Sequence, residues 1–309
     1  MSHIMKNILL FLGLLYSALG YSQFNFPQQE MKLDIEINHH LKKKDYHPEI
    51  SGMTMLENDF YVVCEKDNRI LKYDTQFNLV DSIKIPLLSE LPKPEYEGIA
   101  VYKDHFLLSD EKNVTIIDFT NKTIIPISVP EINGMKDDSG VEGIAIDAEA
   151  KKCYLMQEKT GSNGYSILLD CDITEDNGHI KLTTKNSIII NHTYLGKEKD
   201  TISRYSDIYV YNHKIYALKL HYPENPKYYI DEINIDAIRK DKPKDWKIDN
   251  SNKKYFNSKE ITDFINKEDS NIEAVVLSKK DNYFYIINDD KMSDKKDKTT
   301  LYKLKNPFE

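Results

Sequence analysis

The sequence predicts an all-β propeller built from four-stranded antiparallel blades, five in number, with six as the alternative. Three observations carry that expectation. First, a short phrase recurs. Glu97-Gly98-Ile99-Ala100-Val101 returns as Glu142-Gly143-Ile144-Ala145-Ile146, with looser copies at Ser51-Gly52-Met53-Thr54-Met55, Ser206-Asp207-Ile208-Tyr209-Val210 and Glu273-Ala274-Val275-Val276-Leu277. Second, each copy leads through a polar turn into another apolar run that ends in charge, at residues 60–65, 106–111, 153–158, 214–219 and 283–289. Strand-turn-strand content repeating every ~45 to 65 residues marks a propeller array. Third, β-formers alternate with period two, as in Phe60-Tyr61-Val62-Val63 and Tyr283-Phe284-Tyr285-Ile286-Ile287, while helical periodicity is confined to short stretches.

The chain opens on a segment foreign to this pattern. Lys6 precedes an apolar run over residues 8–19, too short to span a bilayer, and Gly20, Tyr21 and Ser22 follow it. Residues 1–22 therefore predict a signal peptide, cleaved near Gln23, and residues 23–309 a single propeller domain. Export, secreted or periplasmic, is the expected localisation. Nothing after Leu19 resembles a membrane span.

Residues 31–37, Met-Lys-Leu-Asp-Ile-Glu-Ile, alternate cleanly and predict a strand. The repeats then begin at 51, 97, 142, 206 and 273, leaving room for insertions around 174–201 and 234–269, one of which could hold a degenerate sixth blade. Residues 258–267 fit a short helix capped by Ser258, with Ile261, Phe264 and Ile265 on one face, and residues 235–240 fit a single turn. The last repeat ends at Leu301-Tyr302-Lys303-Leu304 without an outer strand. Residues 31–37 are placed to supply it, which closes the ring and hides the sheet edges.

Composition narrows the function. The formal net charge is −8, and there are only three arginines, Arg69, Arg204 and Arg239, with lysines scattered among acids. That balance argues against nucleic acid as a partner. Cys64, Cys153 and Cys171 are too few for a disulfide scaffold, although Cys153 and Cys171 flank one hairpin and could face each other. The sequence has no Gly-x-Ser-x-Gly elbow, no His-Glu-x-x-His and no phosphate-binding glycine loop. A monomer is expected.

Acidic residues recur at one point of each repeat. In an antiparallel hairpin the start of the first strand lies beside the end of the second. Glu97 and Glu111 are equidistant from the turn at Asp104, and the same symmetry relates Ser51 to Glu65, Glu142 to Glu158 and Glu273 to Asp289. Hairpins set round one axis would gather Glu97, Glu111, Glu142, Glu158, Asp207, Glu273, Asp289 and Asp290 on one rim of the channel. Crowded carboxylates raise one another's pKa, and a hard cation relieves the conflict; calcium tolerates irregular oxygen cages best. The alternative is that these acids latch the blades by accepting backbone amides. Lys112, Lys159 and Arg204 stand where they could receive an anionic group, or could merely neutralise the acids.

The same residues resemble the β-propeller family named for the esterase-like activity of phytase and, more distantly, the SdiA-regulated propeller family. The blocks that carry the likeness are Ser51-Gly52-Met53, Glu97 to Ala100 with Asp110-Glu111, Glu142 to Ala145 with Glu158, Ser206-Asp207-Ile208, and Glu273 with Asn288-Asp289-Asp290. The last block departs from the pattern at Ala274, and the fourth repeat ends in Lys219 where an acid or arginine is expected. The resemblance implies a calcium-dependent hydrolase of phosphate or carboxylate esters. Rim carboxylates would hold the ion, with Glu142, Lys112, Lys159 and Arg204 acting on a small anionic ester or phosphoester. The competing expectation is a non-catalytic propeller that binds a ligand or protein partner on the same face.

Overall fold

Each copy of the repeated phrase opens one antiparallel sheet. A computed structural model describes residues 33–35, 49–65, 67–89, 93–120, 123–133, 140–157, 165–192, 202–222, 226–265, 271–288 and 299–309. The chain divides into two units, Met1–Glu30 and Met31–Glu309, and every described residue lies in the second. The signal-peptide expectation thus falls outside the described residues.

Blade 1 runs Ile50–Leu56, Asp59–Cys64, Asp67–Tyr73, Leu79–Lys84, and blade 2 runs Tyr96–Tyr102, His105–Asp110, Thr115–Phe119, Ile124–Ile127. Blade 3 runs Val141–Asp147, Lys152–Gln157, Tyr165–Asp176, His179–Asn191. Blade 4 runs Ile202–Tyr211, Lys214–Tyr222, Lys227–Ile233, Phe256–Glu260. Blade 5 takes Ile272–Leu277, Tyr283–Asn288 and Thr299–Lys305 from its own repeat and its outer strand, Leu33–Ile35, from far upstream. The seam pairs Leu33 with Leu301, Asp34 with Thr300 and Ile35 with Thr299. These are the five blades and the closure that the sequence predicts.

Period-two alternation explains the core. Successive side chains of a strand point to opposite faces of the sheet. Tyr61 and Val63 pack toward blade 2, while Phe60, Val62 and Cys64 pack toward blade 5. Leu155 faces blade 2, and Tyr154 and Met156 face blade 4. The result is five apolar clusters, one between each pair of neighbouring blades, so every blade is buried on both faces. Each such Leu, Ile or Phe contributes about 1.5 to 3 kcal/mol of burial, which is why no central core is needed.

Two insertions adopt structure that periodicity does not reveal. The long outer hairpin of blade 3 closes at Asn177 and Gly178, whose φ of 52° and 80° are the left-handed pair that a two-residue hairpin turn requires. The blade 4 insertion forms the helix Ile235–Asp241, capped by Asn234, whose Oδ1 accepts from Ala237 N at 3.0 Å. It then adds Lys247–Asp249 as a parallel fifth strand to blade 3.

The capped helix expected at residues 258–267 is not formed. Phe256–Glu260 is instead the outer strand of blade 4, in register with Lys227–Ile233, and only a 3-10 turn, Thr262–Phe264, follows. Pairing along an open sheet edge outweighs the weak helical pattern. Cys153 and Cys171 do face each other in register, as buried thiols. No helix among the described residues is long and apolar enough to cross a membrane.

Candidate functional site at the acidic mouth

All five inner strands break their ladder at the same place. The register slips between Ile50 and Gly52, Tyr96 and Ile99, Val141 and Gly143, Tyr205 and Asp207, and Ile272 and Ala274. The residues freed by these bulges are Ser51, Glu97, Glu142, Ser206 and Glu273, all buried. A bulge releases a residue from pairing and re-aims its side chain. It also corrects the pairing that simple hairpin symmetry predicts. Glu65 N donates to Glu49 O at 2.9 Å and Glu111 N to Glu95 O at 3.0 Å, so neither acid lies opposite a ring residue. Cys64, Asp110, Gln157, Lys219 and Asn288 occupy the neighbouring second-strand positions instead.

The glycine after each ring glutamate has a packing cause. A Cβ on Gly98 would meet Glu142 O at 2.7 Å, and one on Gly143 would meet Ile208 N at 2.7 Å. Each inner strand therefore leans on the backbone of the next ring position, which only glycine permits. Blade 4 solves the same contact differently. Asp207 stands in the glycine position, and its carboxylate accepts Ile208 N and Val275 N, both at 2.8 Å. Burial holds the Asp207 carboxyl well above the ordinary range, against the opposing pull of the two amides. Of the acids expected on the rim, this one is a latch between blades. Ser51 does the same work at the other side of the ring, donating its hydroxyl to Tyr96 O.

Three glutamates remain, and they act on one another. Burial pushes Glu97 well above the usual carboxylate range, and Glu142, Glu65, Glu111 and Glu273 add to the push, in that order. Glu142 is raised by burial, then by Glu273 and Glu111, while Arg204 opposes them. Arg204 Nη2 donates to Asn271 Oδ1 at 2.7 Å and lies 3.4 Å from Glu273 Oε1. Of the expected cluster of Glu97, Glu142 and Glu273 with Glu111 and Glu158, the first four feel one another's charge, Arg204 opposes them at Glu142, and Glu158 lies outside the described residues. Lys112 pairs instead with Glu95 at 3.1 Å, both side chains 44% exposed. Lys159, Asp289 and Asp290 also lie outside the described residues.

The donor set is oxygen-rich, as a hard cation requires. Among the described residues, however, no group of three or more His, Cys, Asp or Glu side chains is arranged to hold a metal ion. These carboxyls are close enough to feel each other's charge without forming a finished calcium cage.

Lys219, which stands where the repeat pattern asks for an acid, turns to Asp231. It reaches both carboxylate oxygens, at 3.0 and 2.8 Å, and Tyr205 Oη donates to the same group at 2.6 Å. A serine–histidine pair unremarked in the sequence lies nearby, with Ser166 Oγ 2.8 Å from His192 Nε2. Asn250 Nδ2 donates to His192 Nδ1 at 3.2 Å, so the ring proton sits on Nε2 and points at the serine. Burial and then Lys219 push His192 down to about 3. This neutral histidine is a structural brace, and Ser166 is fully buried.

Comparison with known proteins adds a family. The family model described as SdiA-regulated matches residues 25–196. No curated protein matches the sequence. Among solved structures, a glutaminyl cyclase from Myxococcus xanthus is similar at 7% identity, covering 84% of this chain and 90% of its own, with a TM-score of 0.48. A luciferin-regenerating enzyme is similar at 11% identity, 84% and 92% coverage and a TM-score of 0.44. A virginiamycin B lyase from Staphylococcus aureus gives 9% identity, 90% and 88% coverage and a TM-score of 0.40. At these values the likenesses carry no argument about chemistry.

Proposed function

We propose, for a chain that belongs to the SdiA-regulated family, that the propeller is a ligand-binding protein whose acidic channel mouth receives a positively charged guest. The observation that carries this reading is the ring itself: Glu97, Glu142 and Glu273 freed by bulges at one level, the first two held high by burial and by neighbouring acids, and the third beside Arg204. Buried carboxyls that raise one another's pKa gain most from a bound cation, which lets them ionise. Calcium is the simplest such guest, and Glu158 and Asp289 are the further oxygen donors that the repeat pattern offers it. Export through residues 1–22 would place the protein where calcium is abundant.

Calorimetric titration of the full chain with calcium chloride, then with magnesium chloride, tests the reading. Saturable binding that is lost in Glu142→Gln supports it. Heats at dilution level for calcium, together with an unchanged melting temperature in excess calcium and in chelator, overturn the calcium form, because a ligand of the folded state must raise the melting temperature.

Arg204 favours a second reading, hydrolysis of a small phosphate or carboxylate ester, since a guanidinium beside the ring can hold an anionic group. Lys159 is the second candidate for that role, and Lys112 a weaker one because Glu95 engages it. Incubation with phytate and with aryl esters, with and without chelator, decides. Product that is chelator-sensitive and lost in Arg204→Gln would establish turnover; none from either substrate would leave binding as the function.

A further inference from the structure

The channel has a second mouth, at the end where the inner hairpins turn, and a cavity of about 620 Å³ opens there. Pockets that enclose a drug-sized molecule fall in this range. Every blade contributes to its wall. Three residues beyond the acidic ring, the inner strands carry Thr54, Ala100 and Ala145, whose small side chains leave the axis open, and Tyr209 supplies an aromatic wall.

The charges of this mouth are unequal in their commitments. Lys103 Nζ lies 2.6 Å from Glu175 Oε1, and His213 Nδ1 lies 2.6 Å from Asp147 Oδ2, so both groups are engaged. Lys279 is exposed and makes no ion pair among the described residues; its ammonium stands 6.0 Å from the centre of the Tyr211 ring. One uncommitted ammonium, with the exposed Glu57 and Glu149 on neighbouring turns and Glu149 3.5 Å from His213 Nε2, suits at most a monoanion and opposes a polyanion.

We infer that this mouth is a second binding site, for an organic monoanion with an aromatic or aliphatic body. The body lies against Tyr209 and the Ala100–Ala145 floor, and the charged head reaches Lys279. The site is independent of the acidic mouth, because it sits at the other end of the inner strands.

Anilinonaphthalene sulfonate, an aromatic monoanion that fluoresces when sheltered from water, is the probe. Its uncharged parent, phenylnaphthylamine, is the comparison. The full chain should bind the sulfonate at one saturable site. Lys279→Gln should weaken it about threefold to fivefold, the scale of an exposed ion pair, while leaving phenylnaphthylamine unchanged. Ala145→Leu, which fills the floor, should weaken both about tenfold or more. Equal sulfonate affinity in wild type and Lys279→Gln overturns the proposal, as does binding that never saturates or that disappears in Glu142→Gln at the opposite mouth. If Ala145→Leu does not fold, Lys279→Gln decides alone, since it alters only an exposed turn. Failure here leaves the cation reading of the acidic mouth untouched, because calcium titration reads that site separately.

Discussion

Asp207 of blade 4 holds the Val275 amide of blade 5 at 2.8 Å, in the position where blades 1 to 3 carry glycine. Two solutions to one contact therefore coexist in the ring: a bare backbone that lets the neighbour approach, and a carboxylate that bridges the gap. Asp207→Ala should cost about 1 to 3 kcal/mol, because it orphans a buried amide, and Asp207→Asn, which keeps one acceptor, should cost less. Urea unfolding of the two variants measures the difference; equal midpoints would mean the carboxylate is not the latch.

Gly98→Ala should destabilise by about 1 to 3 kcal/mol, since its Cβ would lie 2.7 Å from Glu142 O and 2.8 Å from Ser109 Oγ. It should also disturb Glu142, whose backbone would have to move. The check is chemical denaturation alongside calcium titration of the same variant. A variant as stable as wild type would show that the blades have slack at this seam.

Stability should fall as pH rises above about 4.5 in the presence of chelator. Glu97 and Glu142 have folded-state pKa values raised above the ordinary 4.5, so between the two values the folded chain holds more protons than the unfolded one. Each step up in pH then favours unfolding. Glu97→Gln/Glu142→Gln should flatten this slope and gain about 1 to 3 kcal/mol near neutrality. Melting curves across the range provide the test, and a parallel slope in wild type and double variant would exclude these two carboxyls as its source.

The acid limb should depend on Asp170. Burial alone would raise this carboxyl, but Arg239, whose Nε and Nη2 donate to it at 2.9 and 2.8 Å, holds it below its usual value. A depressed carboxyl stabilises above its unfolded pKa of 3.8, and that contribution is lost as pH falls through the folded value. Arg239→Gln should cost about 2 to 4 kcal/mol at neutral pH and much less in acid, because it leaves a fully buried carboxylate with only Asn186 at 2.8 Å and Lys152 at 3.4 Å. Denaturation at pH 7 and in acid compares the two; a loss of equal size in both would assign Arg239 to packing.

The sequence displays the propeller because its most repeated residues answer a repeated physical demand. Glycine follows Glu97 and Glu142 since the next inner strand touches it, and so the phrase survives in register. The bulges leave no such trace. A slip in pairing changes no composition, so symmetry about Asp104 sets Glu111 opposite Glu97, whereas Glu111 N bonds Glu95 O. Lys219 reads as a gap in the acidic pattern, yet it serves Asp231, which no local motif connects to it. Phe256–Glu260 is legible only as a weak helix because Asn257, Ser258, Lys259 and Glu260 are poor strand formers on an outer edge.

The seam between Leu33–Ile35 and Thr299–Lys305 sets a timetable for the molecule. Blades 1 to 4 can assemble in the order in which they leave the ribosome, but the strand that completes the fifth emerges before them and waits unpaired until Thr299–Lys305 follows. Until the tail arrives, Leu33 and Ile35 lack the partners that protect them, and the half-made circle exposes sticky edges that chaperones would recognise. A permuted gene that joined the old ends and started at an exposed turn, such as Asn177-Gly178, would move the latecomer to blade 3 and change how fast the circle snaps shut, while leaving the pairing of the other four blades as it is.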